Sequence, residues 1–385
     1  MNGPIRHVAI SLGGGYLPGL GMVVRAIARA ARNQGWQVSG IRDGFDGLLF
    51  PERYPQGGVV SDPDHLADDG GSLLGTGART DPFRVQQVDA NGLIEEVDAS
   101  ARVLDGLRGH GIDAVIAIVG GSAVTGSHAI SVMWKLARRG LPCVCIPKSV
   151  ENDLEATTQP YGYASVLQGA SETLRQICLA ARDQGRVALV EVPGQSAGWL
   201  AIDAGLAVAA DVVLVPEFAY DVDVVARHLE AHRSASLVIV ADGAAPLRVD
   251  TDSAAADSMR RCLSPGSDPT FGSGASVIHR QGVAVQALYV ALQRRSQRDL
   301  LPLVLDQLVR ATTAVAADRV LAASYGAAAV QALAAGCGRH LIAAQALDCQ
   351  VLPLEFVVNR VRTLDVTSPV LANARTQGIC LGDER

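Results

Sequence analysis

The first forty residues constrain the fold most. Residues 8–11 are apolar, 13–21 are glycine-rich, 22–34 carry a helical pattern and 37–41 are again extended, which is the order of a βαβ unit. Pro18 and Gly19 stand where the helix opens, and residues 33–35 close it before Trp36 reopens the chain as strand. The pattern recurs. Short β-branched runs at 114–119, 143–146, 187–192, 212–215 and 237–240 each end in glycine, proline or a polar turn, with helical stretches at 131–139 and 164–182 between them. Alternation of this kind predicts an α/β architecture with mainly parallel sheets. A chain of 385 residues that is 49% hydrophobic and 4% aromatic, with 40 glycines, suits buried parallel strands under small-residue helices and makes up two or three domains. Residues 250–276, a mixture of Ser, Asp, Pro, Gly and Ala, read as a surface excursion.

Several function classes drop out. The 33 basic and 39 acidic residues leave a net charge of −6, so no global field draws nucleic acid and any phosphate site is local. No stretch of 18 residues stays apolar and the start carries no signal-peptide core, so the expectation is a cytoplasmic protein without a membrane span. Seven cysteines with no CxxC pair argue against a disulfide framework or a zinc knuckle. His228 and His232 flank Glu230, one place late for the HExxH of a zinc protease. Cys143 and Cys145 share one face of a buried strand, where cysteine acts as a small hydrophobe.

Three glycine turns follow strands: Gly13 to Gly15 with Gly19, Gly120 and Gly121 before Ser122, and Gly70 to Gly75 leading to Arg79. Backbone amides free of Cβ atoms, next to a helix N-terminus, can cradle a phosphate. Plain packing turns are the alternative. A dinucleotide fingerprint through Gly15, Gly19, Gly21 and Asp43 is a further one, but no tyrosine has Lys four residues on, as reductases with that spacing require. Loops at the carboxyl ends of parallel strands converge on one crevice, so all three turns are expected to line one ligand. The strand at 143–146 runs into Pro147, Lys148, Ser149, Val150, Glu151, Asn152 and Asp153. A carboxylate that accepts a hydroxyl proton beside a lysine that meets phosphate charge answers the two needs of phosphoryl transfer. A solvated turn pairing Lys148 with Glu151 is the bland alternative.

Taken together, these motifs resemble the 6-phosphofructokinase family, which phosphorylates fructose 6-phosphate from ATP or pyrophosphate. Residues 14–19 resemble its GGxxPG loop, 40–48 its GIxxGxxGL stretch, 70–79 its GGTxLGSxR segment and 148–153, KSVEND, its KTIDND or GTIDND. Arg186 precedes 191–195 as the family's substrate arginine precedes EVMGR, 215–217 resemble its VPE, and Arg310 stands eight residues before Asp318 as in QRGGxPxxxDRxLA. The resemblance implies two similar three-layer α/β domains with the site in the cleft. A donor domain would comprise 1–142 plus about 303–350 and an acceptor domain 143–302, with 351–385 as an extension. It also implies homodimers or homotetramers in which Arg186 reaches a neighbour's substrate. By the same resemblance Glu151 is the base, with Lys148 and Asp153 as catalytic partners. Gly15, Gly19, Arg79, Gly121 and Ser122 would bind the donor, and Ser149, Arg186, Gly194, Glu217 and Arg310 the acceptor. Mg2+ would be held by Asp153.

The departures fall on the chemistry. Glu151 replaces an Asp, Ser122 and Ala123 replace the acid of GGDG or GGDD, Gln195 replaces the arginine of MGR, and Gln307 and Leu301 replace a histidine and an arginine. Shifting a base by one methylene matters on a scale of about 1 Å, and losing guanidinium forks redraws phosphate recognition. Lys148 resembles pyrophosphate-using members whereas Ala123 leaves room for a nucleotide, and the balance leans to pyrophosphate. The expected function is a diverged phosphotransferase acting on a sugar phosphate or related metabolite. A non-catalytic ligand-binding or regulatory protein, or another reaction on a sugar-like metabolite, are the alternatives.

Overall fold

The computed structural model describes residues 4–68, 71–72, 74–77, 80–88, 92–120, 130–234, 236–248, 282–345 and 348–383. Arg79, Gly121, Ser122 and the tract 250–276 lie outside them.

The amino-terminal part runs β1 (His7–Leu12), α1 (Leu20–Asn33), β2 (Gln37–Ile41), α2 (Asp46–Leu49) and β3 (Val59–Ser61). Two small antiparallel pairs follow, β4 (Ala67–Asp68) with β5 (Gly71–Ser72) and β6 (Val85–Val88) with β7 (Ile94–Val97), and then α3 (Ser100–Gly109), β8 (Ala114–Val119), α4 (Ile130–Arg138) and β9 (Cys143–Pro147). The chain crosses on α5 (Tyr163–Asp183) to β10 (Val187–Val192), α6 (Trp199–Val208), β11 (Val212–Leu214), α7 (Val222–Ala231), β12 (Leu237–Ala241), α8 (Val283–Gln293), β13 (Leu300–Val304) and α9 (Asp306–Arg310). It returns through α10 (Ala316–Ala334), β14 (Arg339–Gln345) and β15 (Asp348–Pro353), and ends with α11 (Pro369–Thr376).

Two sheets organise these elements. The first has seven strands in the order β15-β14-β9-β8-β1-β2-β3, parallel except at its edges β3 and β15, and the second has four parallel strands, β11-β12-β10-β13. The period of two along each strand sorts side chains onto opposite faces. Val8, Ile10 and Leu12 join a core with Val23 and Ile27 of α1, while Ala9, Val115 and Ala117 join one with Val103 and Met133 of α3 and α4. Helices thus cover both faces, which is why β8, β9 and β10 can be buried along their whole length without alternation. The alanine-rich α10 lies tight against α1: a Cβ on Gly326 would stand 2.6 Å from the Ala26 Cβ.

Strand β9, expected at the head of the acceptor domain, pairs with β8 and β14 in the seven-stranded sheet. The expected extension 351–385 meets both sheets. β15 runs to Pro353, and the Val213 amide donates to the Cys380 carbonyl at 2.9 Å, adding the C-terminus to the edge of the smaller sheet. Among the described residues no helix is long and apolar enough to cross a membrane.

Candidate active site

The seven-stranded sheet reverses its winding between β1 and β8, and that switch point opens a crevice at the carboxyl ends of the strands. Gly13 leaves β1 with its amide on the Ile118 carbonyl. Gly14 and Gly15 follow at φ +77° and +83°, a region that only glycine enters without strain. A Cβ on Gly14 would stand 3.5 Å from Lys148 Nζ and 3.6 Å from the Gly120 amide nitrogen, and one on Gly15 would stand 3.7 Å from Arg310 Nη1. Two cations and an amide therefore surround the turn, as a phosphate cradle requires. Gly19 does something else. At φ +74°, it lies under the Tyr161 hydroxyl and Ala314, 2.5 and 2.7 Å from where its Cβ would be, so it admits close packing at the head of α1.

Lys148 follows β9 and is 1% exposed. Its ammonium donates to the Gly15 carbonyl, and burial, then the Arg310 charge, pulls its pKa well below the ordinary lysine range. It is one of two lysines among 33 basic residues. Arg310 hangs from α9, with Nη2 3.9 Å from Asp306 Oδ1 and its buried Nε without an acceptor among the described residues. The structure places Arg310 beside the glycine turn; the resemblance implies a role for it at the acceptor phosphate.

The turn after Lys148 is held by its own side chains. Ser149 Oγ donates to Asp153 Oδ1 at 2.6 Å and accepts the Glu151 amide at 3.0 Å, and Asn152 sits at φ +55°. These bonds shape the turn around Ser149, which the resemblance implies for acceptor binding. Glu151 accepts the Gln195 amide at 3.1 Å. Burial first, then the charges of Asp153 and Asp242, push its carboxyl up to about 8 against the opposing pull of Arg310.

Across the cleft, the loop after β10 is pinned by Asp242, whose Oδ1 accepts the Gly194 amide at 2.9 Å. Burial and the neighbouring Glu191 push Asp242 up to about 7. Gly194 itself packs on Ala241. Glu217, beyond β11, accepts the Gly198 amide at 3.0 and 3.2 Å and the Leu364 amide at 2.9 Å. Arg186 stands apart: it precedes β10, at the opposite end of the strand from Gly194, and its Nε is 2.9 Å from Asp299 Oδ2.

The cleft therefore brings together Gly15, Lys148, Ser149, Glu151, Asp153, Gly194 and Arg310, and leaves Arg186 outside. Asp242 was missed, though it had a signal: it follows a buried strand and precedes Gly243, the strand-end position that marked Lys148. Arg362, whose amide donates to the Asp153 carbonyl at 2.9 Å, had none. For a metal, Asp153 Oδ2 is buried and has no hydrogen-bond partner among the described residues, a hard oxygen that could ligate. Among the described residues no three acidic, His or Cys groups form a cage, and Mg2+ is ordinarily held by one or two carboxylates with water and phosphate oxygens. The residues fit that mode.

A parallel α/β fold whose strand ends set an anion cradle against a proton-accepting carboxylate belongs with enzymes that handle phosphoryl groups. Residues 7–333 match the family model described as Phosphofructokinase, and the chain belongs to that family. It is 34% identical over 251 residues to an ATP-dependent 6-phosphofructokinase 2 of Clostridium perfringens, a match covering 63% of this chain and 66% of that one. It is also 34% identical over 244 residues to a pyrophosphate–fructose 6-phosphate 1-phosphotransferase of Amycolatopsis methanolica, covering 62% and 66%. In fold it resembles a pyrophosphate-dependent phosphofructokinase from Marinobacter aquaeolei, at a TM-score of 0.71 and 18% identity, over 98% of this chain and 88% of that one.

Proposed function

We propose that this protein transfers a phosphoryl group from pyrophosphate or ATP to a hydroxyl of a sugar phosphate. The observation that carries the reading is an anion cradle of Gly14, Gly15, Lys148 and Arg310 with the half-buried carboxyl of Glu151 three residues beyond Lys148 in the same turn. Glu151, once deprotonated, takes the acceptor's hydroxyl proton at Oε1 or Oε2. Lys148 and Arg310 offset charge on the moving phosphoryl, which matters most where water is excluded. Asp153 Oδ2 would hold Mg2+, which supplies further charge neutralisation on the donor.

The seven-stranded sheet then serves as the donor side and the four-stranded sheet as the acceptor side, with Gly194 and Glu217 lining the latter. Donor preference leans to pyrophosphate, supported by the lysine at 148. The relatives' names supply fructose 6-phosphate as the first acceptor to try. The protein is proposed to work in the cytoplasm as a dimer or tetramer, where a neighbour's Arg186 meets the acceptor phosphate.

Incubation with fructose 6-phosphate, Mg2+ and either donor, followed by 31P NMR, tests the reading. A new sugar bisphosphate resonance is expected and identifies the donor. Silence with both donors would sink phosphotransfer to this acceptor and favour a ligand-binding role.

A further inference from the structure

Beyond β15 the chain passes through 361–364, a segment that touches both sides of the cleft. Val361 bridges Leu154 in antiparallel register, and the Arg362 amide donates to the Asp153 carbonyl at 2.9 Å. Two residues on, the Leu364 amide donates to Glu217 Oε1 at 2.9 Å. Amides two residues apart span at most about 7 Å of chain, so one short segment fixes how far the Glu151 turn sits from Glu217.

Arg362 adds side-chain restraint. Its Nη1 reaches the Asn152 carbonyl at 3.4 Å, its guanidinium lies 4.1 Å from the centre of the Trp199 ring, and its own carbonyl accepts Trp199 Nε1 at 3.0 Å. Only a planar, permanently charged group can stack on an indole face and still donate in its plane. Trp199 opens α6 directly after Gly198, whose amide Glu217 already holds. Asn152 carries φ +55°, a left-handed conformation that asparagine adopts more readily than other non-glycine residues.

We propose that residues 361–364 act as a strap that sets the spacing between the Glu151–Asp153 turn and the acceptor carboxylate Glu217, with Arg362 as its positioning residue. The strap rests on the phosphotransfer reading only for its effect on rate. Its effect on the turn is independent of it. If the strap loosens, the left-handed turn relaxes and Glu151 drifts, and a drift of about 1 Å can cost about 100-fold in rate.

The test compares the full-length protein with Arg362→Ala, Arg362→Lys, Trp199→Phe and the Arg362→Ala/Trp199→Phe double variant. Amide hydrogen exchange over 152–154 and 361–364 in the unliganded protein should accelerate about 10-fold or more in Arg362→Ala, with β1 and β8 unchanged. Turnover per folded site should fall about 10- to 100-fold with donor KM within about 3-fold. Lysine, which keeps the donor but not the plane, should recover part of the loss, and the double variant should lose less than the product of the two single losses. Unchanged exchange, or turnover per folded site equal to that of the parent, overturns the strap. Accelerated exchange in a protein that transfers no phosphoryl from either donor supports the strap and removes the function instead. Should Arg362→Ala fail to fold, Arg362→Lys and Trp199→Phe give the same readings at smaller amplitude.

Discussion

Among the described residues, the cleft around Gly15 holds a donor that lacks an acceptor, whereas around Glu217 the acceptors already have their donors. Among the described residues Lys148 spends one N–H on a backbone carbonyl, and Arg310 Nε has no partner. Opposite them, Glu217 receives the amides of Gly198 and Leu364, and Asp242 receives that of Gly194. On the proposed donor side an anion would supply the missing acceptors, whereas the proposed acceptor side is shaped in advance by its own backbone. Charge removed from the first side should therefore harm chemistry without harming the fold, and space removed near either side should do the reverse.

The largest effect is expected from Lys148→Met, which keeps length and volume but removes the buried cation. Turnover should fall by about 10²–10³-fold or more, the scale of losing one preorganised charge at a transferring group. Because burial and Arg310 both disfavour the charged form, thermal stability of the unliganded protein should hold or rise. A melting temperature that drops along with activity would show that Lys148 is structural and erase the contrast between the two sides.

Next come the carboxylates. Glu151→Gln should lower turnover by about 10²-fold or more while preserving the acceptor for the Gln195 amide. With Glu151 at about 8 in the unliganded site, kcat/KM should climb with pH up to that value. The sign for stability is opposite. The folded carboxyls, raised from 4.5 to about 8 at Glu151 and from 3.8 to about 7 at Asp242, hold protons that the unfolded chain has released. Their contribution is complete below about pH 4 and is lost as pH rises toward 8. Melting curves from pH 5 to 8 should thus fall, and Asp242→Asn should flatten the decline. A melting temperature insensitive to pH in this window would argue that the cluster is solvated rather than buried.

The groups in the cleft differ in how far the sequence shows them. The β1 strand, its glycine turn and the Lys148–Asp153 turn were legible because each is a local pattern: apolar run, turn, charged cluster. Strands 37–41, 114–119 and 187–192 came out with the observed bounds for the same reason. Long-range placements were not legible. Arg362 is 210 residues from Asn152, and only closure of the C-terminal segment joins them. Asp318, read as part of a family stretch, accepts the Gly162 and Ser165 amides at 3.2 and 2.8 Å, which completes the head of α5. The β13 and β14 strands carried no separate expectation. β13 mixes Pro302 with partly exposed leucines, and β14 opens on the exposed Arg339 and the half-buried His340, so neither reads as a clean buried run.

A steric counterpart to the charge experiments is Gly19→Ala. The residue sits at φ +74° with Tyr161 Oη and Ala314 Cβ already inside the volume a methyl would need. Left-handed backbone and overpacking together should cost about 2–4 kcal/mol, read by chemical denaturation. Anion affinity of the folded fraction should stay within about 3-fold, since no ligand donor is lost. A weakened anion site at unchanged stability would instead return Gly19 to the cradle.

The smallest effect on the isolated chain is expected from Arg186→Ala. Its partner Asp299 is 66% exposed, and an ion pair that open to water contributes at most about 1 kcal/mol. The strand β10 separates it from Gly194, so within one chain its loss should leave anion binding at the glycine turn untouched. Acceptor KM is the discriminating quantity. If a neighbouring copy presents Arg186 to the cleft, the substitution raises acceptor KM while donor KM stays level, and the rise disappears on dilution below the concentration at which the copies part. If acceptor KM does not move at any concentration, the acceptor side is complete within one chain, and the saturated carboxylates around Glu217 already supply the shape it needs.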